Sequence, residues 1–128
     1  NFLRIKQDKK SKRWSIELNR DNYKLMQLKR IDNLKQIYES GLNDFLEKEF
    51  AGATIILFGS YSRGEDVFQS DIDIAVIGHR EKLMDLTKFD KRLERTIIIN
   101  FYPSFKEIHK HLKDNILNGI ILSGSVDL

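Results

Sequence analysis

The sequence predicts an α+β fold: a mixed β-sheet flanked by helices, preceded by a β-hairpin and a long helix. Three observations predict it. Apolar runs of strand length recur through the second half of the chain. Stretches with apolar residues every three or four positions separate them. Ahead of both lies a basic segment in which apolar and polar residues alternate.

The 128 residues suit one domain able to bury its own core. With no cysteine, disulfide frameworks and thiolate metal sites are excluded. No apolar run approaches the roughly 20 residues of a membrane span, and no signal peptide is visible. The expectation is a soluble, cytoplasmic protein with no membrane partner. Asn1 stands where a Met would start a chain, so a piece of something longer is expected. Charge is uneven. Residues 1–20 hold seven Lys/Arg and two acids, and the remainder holds 15 and 17.

In residues 1–20, Phe2-Leu-Arg-Ile-Lys-Gln and Trp14-Ser-Ile-Glu-Leu alternate around a basic tip. They read as a hairpin, and in sharper form as the wing of a winged-helix DNA-binding domain. Lys9, Lys10, Lys12 and Arg13 are then the candidate nucleic-acid contacts; the plainer reading is a solvated loop. Over residues 21–50, Leu25, Leu28, Ile31, Leu34, Ile37, Leu42 and Leu46 predict one long amphipathic helix, or two meeting near Gly41. Residues 51–128 form the body. Ala53–Phe58 and Ile72–Ile77 are buried strands, Arg80–Glu94 a helix, and Thr96–Phe101 a third strand. Pro103 opens a helix to about Leu117, and Ile120-Ile-Leu is a short last strand.

The chemistry lies between the first two strands. Asp71 and Asp73 are two apart, so they share one strand face with Cα atoms about 6.6 Å apart. Such a pair repels itself unless a cation binds, and oxygen ligands suit Mg2+ or Mn2+. Gly59-Ser60 directly follows a strand. The glycine admits a close backbone approach, and the serine can hold phosphate oxygens. Arg63 adds a cation at the mouth, and Tyr61 is a candidate for the pocket lining. His109 and His111, two apart on a predicted helix, are read as surface residues pointing in different directions.

"FGSYSRGEDVFQSDIDIAVIG" resembles the Gly-Ser…Asp-x-Asp signature of the DNA polymerase β-like nucleotidyltransferase superfamily, and its minimal nucleotidyltransferases in particular. The motif covers about 15 residues, and the likeness extends over residues 51–128. "NILNGIILSG" is similar to the end of archaeal members that carry an N-terminal winged helix. The resemblance implies the polymerase β-like fold and Mg-dependent transfer of a nucleoside monophosphate from an NTP to a hydroxyl. Ser60 would contact the phosphates, Gly59 would make room for them, and Asp71 and Asp73 would hold metal. The family's third carboxylate sits on the next core strand. In that strand Asn100 is the polar candidate, neutral and a poor base, and Glu94 just precedes the strand.

Three functions follow as expectations. One is a nucleotidyltransferase with an unknown acceptor. Another is a nucleotide-sensing domain, weak or inactive in catalysis, of a DNA-binding transcription regulator. The third is an antitoxin-type protein adenylyltransferase. A homodimer is carried as an option for which no residue argues.

Overall fold

A computed structural model describes residues 12–128, with side chains from residue 22 onward. Helix α1 (Lys12–Glu39) and helix α2 (Leu42–Glu49) are separated at Gly41, whose φ of 84° breaks the helix. Then come β1 (Thr54–Phe58), the four-residue α3 (Ser60–Arg63), β2 (Ile72–Ile77) and α4 (Thr87–Leu93). The chain finishes with β3 (Ile97–Tyr102), a 3-10 turn (Phe105–Glu107), α5 (Lys110–Leu117) and β4 (Ile120–Ser123).

The four strands make one mixed sheet in the order β3-β2-β1-β4. β1 pairs antiparallel with β2 and β4, and β2 pairs parallel with β3. Strand alternation divides the core in two. Ile55, Leu57, Ile72, Ile74, Val76 and Ile97 face one side, under Ile37 of α1, Leu42 and Leu46 of α2, and Phe89 and Leu93 of α4. Ile56, Phe58, Ala75 and Ile77 face the other, under Phe105, Ile108 and Ile116. Asp73 shares the phase of Ala75 and Ile77, so it belongs to this second face. The cover stops short there: Asp71 is exposed, and Ile98, in register with Asp73, is 37% exposed.

Three expectations are corrected. The helix expected from Pro103 begins only at Lys110, after a 3-10 turn at Phe105–Glu107. Residues Trp14–Leu18 are helical, part of α1, and do not form the second strand of a hairpin. A run of five alternating residues cannot distinguish helix from strand. From Lys12 to Glu39 no Gly or Pro interrupts helix propagation, whereas an isolated two-stranded hairpin is marginal. The partner strand Phe2–Gln7 lies outside the described residues. The expected helix over Arg80–Glu94 begins only at Thr87. Asp85 Oδ1 accepts hydrogen bonds from both Thr87 N and Thr87 Oγ1, at 3.1 and 2.6 Å, a local turn that competes with helix. Leu83, within the stretch expected to be helical, is almost wholly exposed.

Candidate functional site

β1 delivers the chain into Gly59, whose φ of 81° and ψ of −169° are open to glycine almost alone. The turn that follows closes on itself. Ser62 Oγ donates to Gly59 O at 2.7 Å, and Gly64, at φ 71°, caps α3. Gly64 is also a point of close approach. A Cβ there would run into Met26 O and stand 2.8 Å from Arg30 N, so the turn rests directly on the α1 backbone.

Asp73 comes to the same place from β2. Its Cα is paired with Phe58, the residue before Gly59. A Cβ on Gly59 would stand 2.5 Å from Asp73 Oδ2, so the carboxylate occupies the space that the glycine leaves. Burial, then the charge of Asp71, push the Asp73 carboxyl above its ordinary value, and Arg63 partly opposes them. Arg63 is exposed at the rim. Its Nε donates to Glu65 Oε1 at 2.6 Å and its Nη1 to Asn115 Oδ1 at 3.0 Å, which links the turn to α5. Gly59, Ser60, Arg63, Asp71 and Asp73 are thus carried by one turn and the adjoining end of β2.

Tyr61 is placed elsewhere. Its ring is 2% exposed within the core, and its hydroxyl donates to Asn33 O at 3.3 Å. Burial is the main reason its pKa rises to about 12. As the second residue of α3 it points under the turn rather than over it, so it does not line an open pocket. Ser70 has a turn role: its Oγ accepts from Val67 N at 3.0 Å, just ahead of Asp71.

The strand register locates the third position. Ile98 is paired with Asp73, while Asn100 is paired with Ala75. Asn100 shares the Asp73 face but stands two residues further along, about 6.6 Å, away from Asp71. The β3 residue in register with Asp73 is therefore an isoleucine. Glu94 caps α4 at φ 55° and lines a cleft of about 450 Å3 with Phe68, Gln69, Ser70, Lys91 and Thr96. Another cleft of about 450 Å3, between Gly78–Glu81 and Phe101–Pro103, lies at the opposite end of β2 from Asp71.

A divalent cation fits Asp71 and Asp73. The donors are all oxygen, and burial together with the charge of Asp71 raises the Asp73 carboxyl. Among the described residues no group of three His, Cys, Asp or Glu could hold a metal by itself, so further ligands have to come from substrate or water. His109 precedes α5 rather than lying within it, and its ring comes 5.7 Å from that of His111, contrary to divergent directions. Lys12 and Arg13 belong to the first turn of α1, and Lys9 and Lys10 lie outside the described residues. No helix of the described residues is long and apolar enough to cross a membrane.

Sequence reasoning missed the residues under the site. Asp66 is buried, with Arg95 Nη2 at 2.8 Å from Oδ2 and Asn33 Nδ2 at 2.8 Å from Oδ1. Burial alone would raise the Asp66 carboxyl. The hydrogen bonds from Arg95 and Asn33 and the charge of Lys29 outweigh it and hold the group below the ordinary carboxylate value. No periodicity marks an aspartate in a loop, and its partners are 29 and 33 residues away in sequence.

Comparison with known proteins agrees with this geometry. The family described as "Nucleotidyltransferase domain" matches residues 39–123, from the end of α1 to the end of β4. A protein of Methanocaldococcus jannaschii, described as a "Putative protein adenylyltransferase", is 41% identical over 64 residues. That match covers 48% of this chain and 69% of the relative.

Proposed function

This chain belongs to the nucleotidyltransferase domain family, and from that premise we propose that it transfers a nucleoside monophosphate from an NTP to a hydroxyl of a protein, with Mg2+ held by Asp71 and Asp73. The observation that carries the proposal is the seating of Asp73 on Gly59, which brings a carboxylate of the Asp-x-Asp pair against the Gly-Ser turn. The protein acceptor is supported by the description of the archaeal relative.

Each residue then has a task. The hydroxyl of Ser60 receives phosphate oxygens, and Gly59, which lacks a Cβ, leaves room beside it for the Asp73 carboxylate. Arg63, held by Glu65 and Asn115, adds positive charge at the rim. Asp71 and Asp73 hold the cation, which when bound neutralises phosphate charge and lowers the pKa of the attacking hydroxyl. The acceptor oxygen bonds to the α-phosphorus, the bond to the β-phosphate oxygen breaks, and pyrophosphate leaves. The hydroxyl proton passes to solvent, to which Asp71 is exposed.

The test is incubation with labelled ATP, CTP, GTP or UTP, Mg2+ and a pool of Tyr-, Ser- and Thr-containing peptides. Pyrophosphate and labelled peptide should appear with the wild type and vanish with Asp71→Ala/Asp73→Ala. Equal label with both proteins would overturn the proposal. A second reading, nucleotide binding without turnover, draws support from Ile98 facing Asp73, since no third carboxylate stands there. ATP binding that needs both aspartates, with no pyrophosphate released, would select it.

A further inference from the structure

We infer that Asp66 is a positioning residue that sets the spacing between the Ser60 turn and the Asp71/Asp73 strand, through a polar hub anchored on α1 and at the start of β3. The inference rests on the proposed nucleotide site. In the loop from Gly64 to Ser70, the side chains of Glu65, Val67, Phe68 and Gln69 are exposed, while that of Asp66 is 0% exposed. An ionised carboxylate is seldom buried this deeply, and it is tolerated only with partners. Asp66 has three, from two elements: Lys29 and Asn33 of α1, and Arg95 just before β3.

Each partner also holds a second point of the site. The Asn33 amide that donates to Asp66 Oδ1 also donates to Tyr61 O at 3.0 Å, the carbonyl next to Ser60. Arg95 donates to Phe68 O as well as to Asp66, in the turn closed by Ser70 N donating to Val67 O at 2.9 Å. Lys29 donates to the Asp66 carbonyl as well as pairing with its carboxylate. One amide therefore ties the phosphate turn to the loop, and one guanidinium ties the loop to the strand beside Asp71. A buried ion pair is seldom more stabilising than an apolar pair of the same volume, so its use here is geometric. Apolar contact has no direction, whereas five hydrogen bonds from three side chains define a position.

Asp66→Glu and Arg95→Lys keep the charges and change the reach. Three measurements on the whole chain decide: the melting temperature, amide hydrogen exchange by segment, and calorimetric binding of Mn2+ with ATP. Exchange over residues 59–73 should accelerate about tenfold relative to the rest of the chain in both variants. Mn2+–ATP affinity should fall by roughly tenfold, the scale of a hydrogen bond to a charged group. A lowered melting temperature with unchanged local exchange and unchanged affinity would overturn the inference, because the hub would then be purely stabilising. Should Asp66→Glu not fold, Arg95→Lys decides alone. If the wild type binds no Mn2+–ATP, the proposed function fails, and the exchange pattern still decides the role of Asp66.

Discussion

Ile98 stands directly across from Asp73 on the neighbouring parallel strand, about 4.8 Å away between Cα atoms. An apolar side chain thus occupies the β3 position in register with Asp73. Ile98→Asp should add a third oxygen ligand, tighten Mn2+–ATP binding by about tenfold, or 1.4 kcal/mol, and raise any transfer rate. Asn100→Asp, one step further from Asp71, should change neither. Calorimetry and single-turnover assays on the two variants check the contrast.

Gly59→Ala should disable the site while leaving the sheet intact. The new methyl would fall 2.5 Å from Asp73 Oδ2, and the backbone conformation excludes other residues. The backbone strain alone costs about 1–3 kcal/mol. Mn2+–ATP binding should drop more than tenfold, with far-ultraviolet circular dichroism unchanged at low temperature.

Gly64→Ala tests the seat of the turn on α1. The methyl would meet the backbone of Met26 and Arg30, which cannot rotate away, at a left-handed φ. Overpacking of this kind costs typically about 1–3 kcal/mol. Urea denaturation should show a lower midpoint with an unchanged slope.

Acid should weaken the protein partly through Asp66. Its folded carboxyl lies below the unfolded value of about 3.9, so the folded state binds fewer protons. Its contribution is fully present above the unfolded value and is lost as pH falls through the folded one. In Asp66→Asn, stability should be lower at neutral pH and should decline less steeply below about pH 4. Denaturant melts from pH 7 to pH 3 measure both.

Short-range signals carry the sheet strands and the placing of Gly59-Ser60 ahead of Asp71 and Asp73, while at Gly41 they leave one helix or two open. Period two puts both aspartates on one face, and a glycine after a strand marks a turn. Which β3 residue meets Asp73 follows from the packed sheet, since phase assigns a face but register assigns a neighbour. Tertiary packing sent Tyr61 into the core, because a four-residue helix has too few positions to show which side is buried. It carried α1 back to Lys12, where five alternating residues fit helix and strand alike. And it assembled Asp66 with Asn33 and Arg95, three polar residues whose meeting depends on how α1 and β3 pack, which no local pattern encodes.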